Sequence, residues 1–97
     1  MNKQSTMQIK LQVTFIRQGK KFVAYSPALD ISTTGKTLRQ AQTRFSELLE
    51  IFFEELAEKE TTDEVLTELG WVKVKKLWEP PRIVKQESLN IRVPVAA

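Results

Sequence analysis

The 97-residue chain contains no histidine and no cysteine, and these two absences exclude most catalytic chemistry. Without imidazole or thiol there is no Ser-His-Asp or Cys-His nucleophile, no imidazole base, no disulfide and no thiolate metal site. Any catalysis has to use carboxylate, lysine, tyrosine or hydroxyl groups. The composition therefore predicts a binding protein, not an enzyme, and it predicts no cofactor.

Long apolar stretches are also missing from the sequence. No run approaches the roughly 18 residues that span a bilayer, and the opening MNKQSTMQIK lacks the apolar segment of a signal peptide. We therefore expect a cytoplasmic protein with no membrane contact. The length predicts a single domain over residues 1–97, with a core at 7–78 and an extended tail at 79–97. A chain this short has a small core, so oligomerisation would stabilise it.

The charges are unevenly distributed, although the net charge is only +3. Nine of the twelve acidic residues lie between positions 47 and 68, where Lys59 is the one basic residue. An acidic segment beside a basic remainder orients charged partners and raises association rates. The alternative is a helix face that is simply solvated.

The first third of the chain has the pattern of three strands. Apolar and polar residues alternate over 7–15, which predicts a strand with one buried face. A turn at Gly19 and a second apolar run to Tyr25 complete a predicted β-hairpin over 7–25. Pro27 ends the second strand, and residues 29–34 form a short third strand that closes at Gly35.

Two helices are predicted next. Thr37 and Gln40 match a capping box, and apolar residues then recur every three or four positions as far as Leu56. Ile51 and Phe53 lie away from the centre of this stripe, so they either contact a dimer partner or pack under the following helix. A second capping box at 61–64 predicts a short helix through Leu69, with Gly70 in the C′ position.

The remaining residues predict further strands. Residues 71–74 and 77–78 alternate weakly, which indicates a fourth strand or a hairpin with a lysine-rich turn. Glu79-Pro80-Pro81 is a stiff breaker, and alternation over Leu89–Val95 predicts a last strand, limited by Pro94 to an edge or a strand end. The predicted class is α+β, with one long helix covering a mostly antiparallel sheet, a short second helix and a C-terminal strand.

The stretch FVAYSPALDISTTGKTLRQAQ, the amphipathic helix after it, and TTDEVLTELGW together resemble the HicB-like antitoxin family. The closing segment, with WEPP and a terminal strand, resembles a compact branch of that family. The resemblance implies a partial RNase-H-like β-β-β-α-β unit that neutralises a HicA-like, RNA-cleaving toxin by covering it. Family members commonly add a C-terminal DNA-binding module. Here only sixteen residues follow Pro81, without a recognisable helix pair, so operator binding stays open.

Six residues are predicted to contact a partner. Tyr25, Pro27 and Leu29 form an aromatic and apolar patch beside Asp30, and Glu50 and Glu54 belong to the acidic segment. Tyr25 can instead be a core-edge residue with a solvated hydroxyl. Asp30 either shapes the turn after Pro27 or contributes to a two-metal nuclease site, which needs several converging carboxylates.

The two tryptophans admit two interpretations. Trp71 and Trp78 flank lysines and can stack nucleic-acid bases, or they can be packing anchors. The last predicted strand has no obvious hairpin partner, which favours a homodimer or higher homo-oligomer. The residues predicted at that interface are Phe53, Leu89, Ile91, Val93 and Val95. A standalone oligomer without a toxin or a DNA-binding role is the remaining alternative.

Overall fold

The computed structural model describes residues 7–96 and has the predicted α+β architecture. A three-stranded antiparallel sheet is followed by a long helix, a short helix and a small two-stranded sheet. The elements are β1 (Thr14–Gln18), β2 (Lys21–Ser26), β3 (Ile31–Gly35), α1 (Leu38–Glu58), α2 (Thr62–Glu68), β4 (Val72–Val74) and β5 (Leu77–Glu79). None of the helices described in this range has the length and apolarity needed to cross a bilayer.

The first sheet is a meander in the order β1-β2-β3. Gly19 has a φ of +62° in the turn between β1 and β2, and β2 ends at the residue before Pro27. The predicted hairpin and third strand are thus confirmed. The predicted strand at 7–13 is wrong, because Thr14 already pairs with Tyr25 near the end of β2 and leaves no partner strand for earlier residues.

Helix α1 begins where the capping box predicts. The Gln40 amide donates to Thr37 Oγ1 at 3.0 Å, and Gln40 Oε1 accepts from the Lys36 amide at 2.6 Å. These bonds satisfy two backbone donors at the helix start. The helix then packs across β3 and β2, and its first turn approaches Gly35 closely: a Cβ built there would lie 2.5 Å from the Ala41 nitrogen.

The core consists of two clusters. One lies under the first half of α1 and contains Ala24, Ala41 and Phe45. The other joins the β2–β3 loop to the second half of the molecule and contains Ala28, Leu29, Leu56, Leu66, Trp71 and Trp78. Half-buried side chains of the unpaired N-terminal segment also pack here, which explains why residues 7–13 alternate without forming a strand.

The segment after α2 is a hairpin, not a fourth strand of the main sheet. Gly70 ends α2 with a φ of +89°, in the predicted C′ position. β4 and β5 then pair with each other through a turn in which Lys75 and Lys76 both have positive φ. The lysine-rich turn is therefore confirmed. The β-β-β-α order of the first four elements matches the expected unit, while the next strand lies in a separate sheet.

The C-terminal segment has no regular structure. Residues 80–96 form no strand in this single chain, so the predicted strand at Leu89–Val95 is wrong for it. The Ile83 amide donates to Gln12 Oε1 at 2.8 Å, and every residue described beyond this point is exposed.

Candidate partner-binding surface

The loop between β2 and β3 holds three of the predicted contact residues, Pro27, Leu29 and Asp30, in a tight turn, and Tyr25 lies at the end of β2. The amides of Leu29 and Asp30 both donate to the Ser26 carbonyl, at 3.3 and 2.8 Å. Asp30 has a φ of +54°, a left-handed conformation that aspartate adopts more readily than most residues. Asp30 therefore shapes this turn, as one of the two sequence interpretations proposed.

Asp30 also fixes the neighbouring tyrosine. The Tyr25 hydroxyl donates to Asp30 Oδ1 at 3.0 Å across the base of the loop. This hydrogen bond, with smaller contributions from partial burial and from the negative charge of Asp30, raises the pKa of Tyr25 above its ordinary 10.0. Because the folded pKa is raised, the stabilisation is complete below pH 10.0 and is lost as the pH rises through the folded value.

We expect the Asp30→Asn variant to titrate Tyr25 at lower pH than the wild type. Asparagine tolerates the left-handed backbone and keeps an acceptor, but it removes the charge that opposes tyrosinate formation. Tyr25 is the one tyrosine in the chain, so ultraviolet absorbance reports it alone. Asp63→Asn, which removes a charge paired with Lys73, is the matched control and should leave the titration unchanged. Identical curves for wild type and Asp30→Asn would contradict this arrangement.

The other loop residues divide between surface and core. Pro27 and Asp30 are exposed and Tyr25 is half-buried, so these three side chains are accessible, and their contact with a partner stays a prediction. Leu29 is only 2% exposed and lies in the core cluster with Leu56, so its predicted role as a contact residue is wrong. It anchors the loop from below, because burying an apolar side chain stabilises the backbone that carries it.

A contact that the sequence did not indicate holds the loop to the rest of the domain. Trp71 Nε1 donates to the buried Ala28 carbonyl at 2.8 Å, across 43 residues of chain. The Trp71 ring also packs edge-on against Phe53, with centroids 6.4 Å apart. Both Trp71 and Trp78 are buried, so the packing interpretation is confirmed and neither ring is available to stack bases.

The end of α1 reaches the core beneath this loop. β3 leads away from the loop and meets the start of α1, and near the end of α1 Leu56 belongs to the core cluster that contains Ala28 and Leu29. Glu50 and Glu54 are exposed on the same helix, before Leu56, and neither forms an ion pair with any residue from 7 to 96. We use the name acidic end surface for the predicted contact residues that are not buried, which are Tyr25, Pro27, Asp30, Glu50 and Glu54.

An open groove lies between α1 and the N-terminal segment. One wall is the N-terminal segment 7–11, and the other is formed by Leu49, Glu50 and Phe53 of α1. Its volume is about 1020 Å³, and its lining is mainly apolar. Phe53 is half-buried against Phe52 and Trp71 and also lines the groove, so its place at an oligomer interface stays a prediction. Ile51 is exposed on the same helix.

The carboxylates do not converge. Within residues 7–96, no group of three acidic side chains is arranged to hold a metal ion. Asp30 is engaged by Tyr25, and the α1 glutamates are spread along the helix surface. The exposed carboxylates of α1 are thus spread along the helix surface and are not gathered at one point. Comparison of the chain with protein-family models, with curated proteins and with solved structures found no match in any of the three.

Proposed function

We propose that this protein is a HicB-like antitoxin-type binding protein that neutralises a HicA-like, RNA-cleaving toxin by covering its surface. The observation that carries the proposal is an exposed acidic helix whose Glu50 and Glu54 form no ion pair within residues 7–96, in a chain that also has an ordered aromatic loop at Tyr25. A protein that cleaves RNA must hold a polyanion, and it does so with basic groups. A negatively charged protein surface competes for those groups.

In the proposed complex, electrostatic attraction mainly raises the rate of association. The acidic segment attracts a basic partner over distances comparable to the screening length, about 8 Å at physiological ionic strength. Complementary charge raises the association rate and orients the encounter more than it raises the final affinity. The proposed complex therefore forms fastest at low salt.

The loop supplies the anchor of the proposed contact. Tyr25 is held by Asp30 and supported by the buried Trp71–Ala28 hydrogen bond, so its ring is ordered before binding. An ordered aromatic side chain loses little conformational freedom on binding, which favours it as an interface centre. Pro27 adds a rigid exposed apolar surface beside it.

The test is co-expression with the product of the adjacent gene, where that gene encodes a small basic protein. We expect the wild type to restore growth, and the Glu50→Lys/Glu54→Lys double variant to lose most of this protection. Its association rate should fall by about tenfold or more at low ionic strength, with a smaller loss at high salt. Stopped-flow or surface-plasmon measurements at two salt concentrations check this.

The matched control is a second double variant with the same change in net charge as Glu50→Lys/Glu54→Lys. Glu79→Lys/Glu87→Lys reverses two exposed acids outside the acidic end surface and should protect as well as the wild type. Failure of the wild-type protein to protect cells removes the antitoxin proposal. Equal binding by both double variants removes the role given to Glu50 and Glu54.

The place of action implied by this proposal is the cytoplasm, where a toxin of this class meets cellular RNA. Operator binding stays open, and residues 80–96 carry no helix. No feature of the described residues favours the metal-dependent nuclease. The exposed apolar tail does favour self-association, which is compatible with an antitoxin and with a standalone oligomer.

A further inference from the structure

We propose that residues 89–95 of one copy bind as an extended strand in the α1 groove of a second copy, and that the exchange is reciprocal. The occupant is a second copy of this chain, and the product is a two-fold symmetric dimer. The dimer forms from the protein alone, so this inference does not depend on the antitoxin proposal.

The tail has the pattern of a strand that lacks a partner. Its apolar residues alternate with polar residues and proline, and they are between 68% and 86% exposed. Four apolar side chains on one side of an extended segment need an apolar surface to cover them. These four residues are Leu89, Ile91, Val93 and Val95.

The groove also has a wall of strand-like sequence that lacks a strand partner. Its N-terminal wall, residues 7–11, has the same two-residue alternation and belongs to no strand ladder described in 7–96. Met7 is exposed, and the opposite wall presents Leu49 and Phe53. Both segments have a strand-like sequence and lack a strand partner. If the tail of one copy lies beside the N-terminal segment of the other, their backbone donors and acceptors can pair.

The direction of the chain favours a second copy as the source of the tail. The Trp78 amide contacts Met7 Sδ at 3.4 Å and the Ile83 amide donates to Gln12, so residues 78–83 run in the same direction as 7–12. Pro80 and Pro81 stiffen this stretch. The tail thus continues past its own N-terminal segment and away from its own groove.

The dimensions of the chain agree with this direction. Its radius of gyration is 17.1 Å, whereas a compact chain of about this length has roughly 13 Å. The longest dimension is 67 Å, more than twice the other two. A projecting segment of this kind reaches a neighbouring molecule more easily than its own body.

The groove offers a carboxylate to the charged residue of the docking segment. Residues 89–95 carry one charged side chain, Arg92. The lining of the groove includes the carboxylate of Glu50 and the ammonium group of Lys10. Arg92 of one copy can therefore pair with Glu50 of the other while the apolar side chains enter the groove.

The first experiment measures the mass of the full-length protein by sedimentation or light scattering over a concentration series. We expect a dimer, and we expect Ile91→Glu to raise the dimer dissociation constant roughly a hundredfold while the circular dichroism spectrum stays unchanged. Asn90→Glu adds the same charge on the other side of the tail and is the matched control. A monomeric wild type, or equal dimers for both variants, overturns the proposal.

The second experiment locates the docking site, using the absence of native cysteine. A Lys10→Cys preparation is mixed with an Arg92→Cys preparation and treated with a short bismaleimide, and crosslinked peptides are identified by mass spectrometry. We expect crosslinks between copies at positions 10 and 92. Lys20→Cys, in the β1–β2 turn, is the control and should not react with Arg92→Cys. A preference for position 20 overturns the groove as the docking site.

Discussion

Replacing Gly35 by alanine is expected to lower the free energy of unfolding by about 3 kcal/mol, as overpacking a well-packed contact does. The added methyl carbon would lie 2.5 Å from the Ala41 nitrogen and 2.9 Å from its Cα, both in the backbone of α1. A backbone cannot rotate away as a side chain can, so the helix must move off β3. Urea denaturation should show a lower midpoint at an unchanged slope.

Gly19→Ala is the matched control for this prediction. Gly19 has a φ of +62° but no atom within 4 Å of an added Cβ, so alanine there meets only backbone strain. That strain costs about 1 kcal/mol. Equal losses of stability in the two variants would show that glycine is not required at position 35 for close packing against the helix.

Replacing Trp71 by phenylalanine is expected to cost about 3 kcal/mol. The change removes volume from the core and leaves the buried Ala28 carbonyl without its donor, and an unsatisfied buried acceptor costs about 1–3 kcal/mol by itself. The loop that carries Tyr25 loses its tether to the second half of the domain. The pKa of Tyr25 should therefore fall toward its ordinary value, and absorbance titration measures this.

Trp78→Phe separates the hydrogen bond from the loss of ring volume. Trp78 is buried in the same cluster, but its indole donates no hydrogen bond to residues 7–96, so we expect a loss of about 1–2 kcal/mol. The Tyr25 titration should not change in this variant. Equal stability losses, or a shift of Tyr25 in both variants, would contradict the tethering role of Trp71.

Features that depend on neighbouring residues could be predicted from the sequence. The capping box at Thr37, the C′ glycine at position 70 and the proline stop at 27 each rest on chemistry within a few residues. The periodicity of α1 indicated its buried face for the same reason. These features fixed the α+β class and the order of the first elements.

Features that depend on distant partners could not be predicted in this way. Alternation over 7–13 and 89–95 indicates a strand, but a strand forms only where a second one lies alongside. The Trp71–Ala28 bond joins positions 43 residues apart. Leu29 is predicted at the surface as part of an apolar patch with Tyr25 and Pro27, whereas the turn directs it into the core. Gly35 gave no local sign that a helix backbone lies against it.

The backbone dipole of a helix favours acidic side chains at the N-terminus and basic side chains at the C-terminus. Helix α1 has the reverse arrangement. Lys36 and Arg39 stand at the positive N-terminal end, and Glu58 stands in the last turn with Glu55, which pairs with the C-cap residue Lys59 at 3.2 Å. Apart from Lys59, these charges add to the dipole instead of cancelling it. The free protein tolerates internal repulsion at both helix ends, and in return it has a large electric moment along one axis. Such a moment turns an approaching cationic molecule toward the C-terminal end of α1 before the surfaces touch.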